Sequence, residues 1–134
     1  MKEVMAIIRM NKINATKAAL VDAGFPAFTA RKVMGRGKKA LDEDFVKAMD
    51  DGPLDSTEVL PMLAHGPRLM PKRMITLVVP DDQVGEVVKT VISVNKTENP
   101  GDGKIFVMPI IDVCRVRTGE VGDDAIDEMT GNGN

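Results

Sequence analysis

Residues 74–94 read MITLVVPDDQVGEVVKTVISV, a strand-like run followed at once by a helix-like one. Residues 74–79 are almost continuously apolar and end at Pro80, which predicts a strand. Asp81 and Asp82 come next, and carboxylates at the start of a helix interact favourably with its dipole. Apolar residues then recur at intervals of three and four, which predicts an amphipathic helix; they are Val84, Val87, Val88, Val91 and Ile92.

The first part of the chain predicts the same succession. Residues 2–9, KEVMAIIR, predict a strand that is apolar on both sides. The helix that follows has apolar residues near helical spacing and a stop signal at Gly24. Residues 25–35, FPAFTARKVMG, predict a second strand that ends at Gly35.

A segment of 36 residues, Arg36 to Pro71, interrupts this succession. Connections longer than about 12 to 15 residues are uncommon in compact domains and are usually functional or disordered. Within this loop Leu41, Phe45 and Met49 form one apolar stripe at helical spacing. The stripe either packs against the body of the protein or contacts a partner, and both interpretations stay open.

After the second helix, KIFVMPII (residues 104–111) and DVCRVRTG (residues 112–119) predict the last strands. Cys114 is expected to pack in the core between its valine neighbours. We therefore predict one domain over residues 1–120, followed by an acidic, flexible tail over residues 121–134.

The order of these elements is strand, helix, strand, long loop, strand, helix, strand. This order predicts an α+β, ferredoxin-like βαββαβ fold with an antiparallel sheet and both helices on one face. Several strands carry apolar residues on both sides, so we expect another subunit to cover the second face. The residues behind this expectation are Met5, Ile7, Ile75, Leu77, Ile105 and Val107.

Composition excludes several classes of protein. Eighteen basic and twenty acidic side chains give a net charge of −2, so no overall field attracts nucleic acid or a membrane. A single cysteine excludes an internal disulfide and fits a reducing compartment. With neither a signal peptide nor an apolar run of about 20 residues, the sequence predicts a cytoplasmic protein.

The sequence offers no catalytic constellation and no metal site. His65 is the only histidine and has no histidine or cysteine near it, which argues against a metal centre. Paired aspartates look like helix caps or solvated loops. The sheet also lacks the aromatic platform of RNA-binding ferredoxin-like domains, because Phe106 is the one strand aromatic near a lysine.

Residues 97–107, TENPGDGKIFV, are either a turn or a phosphate-binding loop, and local sequence leaves both open. Anion binding is favoured by the number of basic or glycine-rich segments, which are Gly35–Lys39, Pro71–Arg73, Gly101–Lys104 and Arg115–Arg117. Arg115 and Arg117 are expected to point the same way from one strand and to match phosphate oxygens.

These segments carry a family resemblance. Thr97 and the run from Gly101 to Val107 resemble the C-terminal signature of the PII nitrogen-regulatory signalling proteins. The stretches AIIR, GFPAFTARKV and RVRTGE extend the resemblance over most of the chain. The sequence is most similar to the second subtype of the nitrogenase-associated branch.

The resemblance implies a homotrimer, or a mixed oligomer with a companion subtype, that binds ATP or ADP in clefts between subunits. It implies that the phosphates are held by Gly101, Asp102, Gly103 and Lys104 of one cleft wall, with Arg115 and Arg117 opposite. Thr29 would lie beside the adenine, and Gly35, Gly37 and Lys38 would begin a loop that responds to effectors. Lys72 would pair with a carboxylate of 2-oxoglutarate beside Mg²⁺.

Two departures from the family matter. The chain has no tyrosine, so control by uridylylation of a loop tyrosine is excluded. Lys39 stands where relatives carry a glutamine that holds magnesium and 2-oxoglutarate. A protonated lysine has only donors and cannot ligate a metal, so Lys39 either contacts the oxo-acid directly or marks a remodelled site.

The sequence thus predicts a non-enzymatic sensor that inhibits dinitrogenase when ammonium is available and binds it through loop 36–71. ATP and 2-oxoglutarate would release the enzyme. Three alternatives remain: a PII-type regulator of another target, such as an ammonium channel or a biosynthetic enzyme; an RNA-binding module; and a small phosphotransferase that uses His65.

Overall fold

The structure is a computed structural model that describes residues 1–37 and 69–131. The described elements follow the predicted order. They are β1 (Lys2–Arg9), α1 (Ile13–Asp22), β2 (Thr29–Gly35), β3 (Met70–Val79), α2 (Val84–Asn95) and β4 (Lys104–Pro109). Single 3-10 turns precede the helices at Met10–Lys12 and Asp81–Gln83, and a longer 3-10 stretch covers Gly122–Met129.

The four strands form one antiparallel sheet in the order β2-β3-β1-β4. Consecutive strands are therefore not always neighbours, because β1 lies between β3 and β4, as the ferredoxin-like prediction requires. The register places Arg9 opposite Lys72 and Thr29 opposite Thr76. The two pairs lie four residues apart along β3.

Both helices pack on one face of the sheet. Side chains alternate across a strand, so every second residue of β1 points toward the helices. The core on that face consists of Val4, Ala6 and Ile8 from β1, Ile75, Leu77 and Val79 from β3, and Leu20, Val87 and Val91 from the helices. Thr16 and Asn95 are buried between the helices, where the Asn95 amide donates to the Thr16 hydroxyl at 3.0 Å.

The other face, which we call the open face, is not covered by the helices and is also largely apolar. The prediction of two apolar faces is confirmed, but four of the residues cited for it lie on the helix side, since Val107 pairs with Val4 and Ile105 with Ala6. The apolar residues of the open face are Met5, Ile7, Met74, Val78, Phe106 and Met108. Phe106 is 43% exposed and the other five are partly exposed, so the described residues leave this face partly uncovered.

The C-terminal segment, residues 110–131, differs from the prediction in two ways. First, its acidic part is folded: Gly122–Met129 buries Ala125, Ile126 and Met129 against the core. The expected flexible tail is thus wrong for residues 121–131. Gly131 also lies so close to Gly24 that a side chain at Gly24 would overlap it.

Second, residues 112–119 do not form a regular strand. Cys114 pairs with Val121 in an isolated bridge, and the chain turns between them. The backbone N–H of Arg115 donates to Glu120, and Gly119 adopts a φ of +75° at the turn. Cys114 is exposed, so the expectation that it packs in the core is wrong.

The apolar stripe of Leu41, Phe45 and Met49 lies outside the described residues, as do His65, Lys38 and Lys39. Within residues 1–37 and 69–131 no helix is long and apolar enough to cross a membrane.

Candidate functional site

Residues 97–104, the glycine loop, connect α2 to β4 and require glycine at two positions. Gly101 and Gly103 have φ values of +97° and +114°, a region that other residues rarely adopt. A Cβ atom at Gly103 would lie 2.1 Å from the backbone oxygen of Ile7. The loop therefore passes against β1 more closely than any side chain at this position allows.

Asp102 points into the loop. Its carboxylate accepts hydrogen bonds from the Thr97 hydroxyl, from the backbone N–H of Thr97 at 2.7 Å and from that of Glu98 at 2.9 Å. The bonds from Thr97 do most to hold the pKa of Asp102 well below its usual value, and Arg9 contributes. The Asp102 carboxylate is therefore charged at neutral pH and acts as a structural brace. Its oxygens accept hydrogen bonds from within the loop.

Arg9 fixes this loop to the end of β1 and was not among the predicted site residues. Its guanidinium lies 2.5 Å from the Asp102 carboxylate and donates to the backbone oxygen of Pro100 at 2.9 Å. The sequence shows only that Arg9 ends one predicted strand and that the glycine loop precedes another. Only the strand order β1 next to β4 makes the two neighbours.

The outer side of the glycine loop offers donors and positive charge. In the described part of the chain, the backbone N–H groups of Gly101 and Gly103 donate to no protein acceptor. Lys104 is exposed at the start of β4, and the Lys72 ammonium lies 3.4 Å from the backbone oxygen of Gly101. Free N–H groups with nearby cations form the kind of concave surface that binds anions.

Gly35 and Gly37 lie at the same end of the sheet, which we call the loop end. Gly35 ends β2 and pairs with Met70, two residues before Lys72 on β3. Gly37 follows and is exposed. The structure thus brings Gly35 of β2, Lys72 of β3 and the glycine loop before β4 to one end of the sheet, with β1 between the last two.

Thr29 lies at the other end of β2 and faces a cavity of about 340 Å³. The cavity is walled by both the sheet and the C-terminal segment, and its lining includes Glu3, Phe28, Val78, Ala125 and Glu128. We call this the Thr29 end.

Arg115 belongs to the Thr29 end and is surrounded by acids. Its guanidinium lies 3.0 Å from Glu120, 2.7 Å from Asp127 and 2.8 Å from Glu128, which lines the Thr29 cavity. The hydrogen bond with Asp127 does most to raise the pKa of Arg115 above its usual value. Arg117 is exposed and makes no ion pair with any described residue.

The two arginines therefore do not point together from one strand, and that prediction is wrong. The turn that closes at Gly119 separates them, which leaves Arg115 half-enclosed and Arg117 in solvent.

The two ends are well separated within one chain. Thr29 is level with Met5, four residues from Arg9 along β1, which is about 13 Å. The glycine loop also leads into β4 and Thr29 begins β2, at the two edges of a four-stranded sheet about 14 Å wide. Among the described residues no hydrogen bond or ion pair joins the glycine loop to Arg115 or Arg117.

A family model described as "Nitrogen regulatory protein P-II" matches residues 1–120. The chain belongs to the PII family. Its members are named as regulatory proteins, and the antiparallel, ferredoxin-like sheet found here agrees with that membership. The family match ends before Gly122–Met129, so the acids at positions 127 and 128 lie beyond it.

Relatives of this PII chain are named after nitrogen fixation. "Nitrogen fixation nifHD region GlnB-like protein 2" of Methanobacterium ivanovii is 50% identical over 94% of this chain and 99% of that protein. The protein of the same name from Methanococcus maripaludis is 46% identical over 94% of this chain and its own full length. The crystal structure of Arabidopsis thaliana PII bound to citrate matches with a TM-score of 0.66 at 32% identity, covering 92% and 87% of the two chains.

Proposed function

We propose that this PII chain is an effector-sensing regulator that binds ATP or ADP and controls nitrogenase according to nitrogen status. The single observation that carries the nucleotide part is the glycine loop. Its aspartate is hydrogen-bonded within the loop and to Arg9, the N–H groups of Gly101 and Gly103 donate to no described protein acceptor, and Lys72 and Lys104 lie beside them.

Each group of the loop has a distinct role in this proposal. The N–H groups of Gly101 and Gly103 donate to phosphate oxygens, and the exposed Lys104 supplies positive charge. Arg9 acts indirectly, because it holds the Asp102 brace and so fixes the shape of the loop. Lys72 is close enough to the loop to contact either the phosphates or a carboxylate of 2-oxoglutarate.

The complete site is proposed to lie between two chains. In one chain the glycine loop lies at the loop end and Thr29 and Arg115 lie at the Thr29 end, and no described hydrogen bond or ion pair joins the loop to Arg115 or Arg117. A second chain that packs on the open face would bring its Thr29 end to the first chain's loop end. The apolar surface there, with Phe106 43% exposed, favours a homotrimer or a mixed oligomer.

Control of nitrogenase is supported by the names of the relatives, which place them in the nifHD region. We propose that loop 36–71 contacts dinitrogenase and that bound ATP and 2-oxoglutarate release it. Loop 36–71 starts beside Gly35 and Gly37, at the loop end of the sheet. An anion bound there therefore changes the charge where the loop begins. A coupling of about 1 to 3 kcal/mol per site gives the required shift in affinity.

Calorimetry with ATP tests the nucleotide site. Wild type is expected to bind ATP, and Lys104→Ala and Arg117→Ala are each expected to weaken binding about tenfold or more. Lys89→Ala is the matched control, because Lys89 is an exposed lysine on α2, away from the glycine loop. Equal effects of Lys104→Ala and Lys89→Ala would show that the glycine loop does not hold the phosphates.

Titration with 2-oxoglutarate in the presence of ATP and Mg²⁺ tests the second effector, with Lys72→Ala as the variant. The regulatory role is tested by measuring purified dinitrogenase activity with the oligomer, with and without both effectors. Inhibition that the effectors relieve is the expected result. Full nitrogenase activity under every condition would assign the protein to another target.

A further inference from the structure

Arg115 is engaged by carboxylates of its own chain, although the proposed function needs it for phosphate. Both terminal nitrogens of the guanidinium are occupied: one by Glu120, and the other by Asp127 and Glu128 at 2.7 and 2.8 Å. The second nitrogen also donates to the backbone oxygen of Ala125 at 3.3 Å. Three negative charges therefore surround one positive charge.

Buried neighbours anchor two of these acids, Asp127 and Glu128. Ala125, Ile126 and Met129, which flank Asp127 and Glu128 in the same 3-10 stretch, are buried to 6%, 4% and 1% exposure. Packing of the apolar side of this stretch positions the acidic side chains on its other side. An arginine that moves away leaves the acids where they were, ready to bind it again.

We propose that Glu120, Asp127 and Glu128 compete with the phosphates of a bound nucleotide for Arg115, so that the C-terminal segment sets the nucleotide affinity of the site. This inference rests on the proposed function, since it needs the phosphates to reach Arg115. A guanidinium uses the same N–H groups for carboxylate and for phosphate, so the two ligands exclude each other.

The competition acts through the fraction of time for which Arg115 is available. If the acids hold it for about nine-tenths of the time, the apparent dissociation constant is about ten times the intrinsic one. The ion pairs are partly solvated, since the Asp127 side chain is 68% exposed and that of Arg115 is 21% exposed. Such pairs are weak enough for a polyanion to displace.

Arg117 provides a contrast in the same turn. It makes no ion pair with a described residue, so its availability does not depend on the C-terminal acids. The effect of the acids is therefore specific to Arg115.

The test compares two double variants of the full chain by calorimetry with ATP at one fixed salt concentration. Asp127→Asn with Glu128→Gln removes two of the competing charges. Asp123→Asn with Asp124→Asn removes two charges from the same eight-residue 3-10 stretch, at exposed residues that make no ion pair with Arg115. The pair of variants thus separates competition for Arg115 from general repulsion between acids and phosphate.

We expect the 127/128 variant to bind ATP about tenfold more tightly than wild type and the 123/124 variant to stay within about twofold. If both variants bind ATP equally more tightly than wild type, or neither does, the inference is overturned. The proposed function is still intact in that case, provided that wild type binds ATP. Absence of ATP binding in wild type and in every variant would overturn both.

Folding of the 127/128 variant is checked by its thermal midpoint and oligomeric state. If it does not fold, Asp127→Asn alone replaces it, because this carboxylate is the most exposed of the three. That single variant is expected to bind ATP about threefold more tightly than wild type, and unchanged affinity would count against the competition.

Discussion

The glycines of this chain allow a graded test of the structure. Alanine at Gly103 would place its Cβ 2.1 Å from the Ile7 backbone oxygen, about 1.2 Å inside an ordinary carbon–oxygen contact. The obstacle is backbone, so it cannot be relieved by a side-chain rotation. Gly119 also has a positive φ, but nothing lies within 4 Å of a Cβ there. Gly85, in α2, has neither restriction.

The expected costs follow from these differences. Gly119→Ala carries backbone strain alone, about 1 to 2 kcal/mol for an alanine near the left-handed region. Gly103→Ala carries about 1 to 3 kcal/mol of strain and also displaces the start of β4 from β1. Each ladder hydrogen bond lost there costs about 1 kcal/mol, so we expect about 4 kcal/mol in all. Gly85→Ala should stabilise α2 by about 0.5 to 1 kcal/mol.

The measurement is equilibrium unfolding in urea, followed by far-ultraviolet circular dichroism because the chain has no tryptophan or tyrosine. All variants are compared at one chain concentration, since an oligomer's stability depends on it. The expected order of stability is Gly85→Ala, wild type, Gly119→Ala, Gly103→Ala. A Gly103→Ala protein as stable as Gly119→Ala would refute the close approach of the loop to β1.

Three further predictions concern other parts of the molecule. Lys2 and the N-terminal ammonium lower the pKa of Asp81 to about 2; the stabilisation should be complete above the unfolded value of about 3.9 and lost as pH falls toward 2, so the gap in unfolding free energy between wild type and Asp81→Asn should close over that range. Met129→Ala should cost about 2 to 5 kcal/mol in urea unfolding, whereas Met34→Ala, at a 57% exposed residue, should change stability by under about 0.5 kcal/mol. Arg9→Ala should weaken ATP binding about tenfold in calorimetry and Arg9→Lys about threefold, because lysine keeps the charge but not the fork; unchanged affinity in both would remove Arg9 from the site.

The fold could be predicted because its signals are local and repeated. Val84, Val87, Val88 and Val91 recur at helical spacing, and Val87 and Val91 are buried where that pattern places them. Alternation on β1 gave the strand, although it could not say which face met the helices. That assignment depends on the register of Val4 with Val107 and Leu77, which is a long-range property.

The site could be predicted in part. The composition of the glycine loop predicted its tight geometry, and its positive φ values agree. Thr97 and Glu98 hold Asp102 within the loop, but its ion pair with Arg9 joins residues 93 apart in sequence, which no local pattern reveals.

The predicted common direction of Arg115 and Arg117 was wrong for a different reason. The sequence RVR has the alternation of a strand whether or not a partner strand pairs with it. For the acidic end, Ala125, Ile126 and Met129 were a usable signal: their spacing by one and three residues gives one apolar side.

The docking of the last described residues has a practical consequence for anyone who shortens this protein. A cut at residue 120, where the family match ends, would remove Ile126 and Met129 from the core cluster that also contains Phe25 and Val79. The side chains of Phe25 and Val79 would then be exposed to water. The smallest piece that keeps an intact interior therefore reaches at least Met129. Trimming cannot substitute for point changes at the acids, because it would strip away the packing and the charges together.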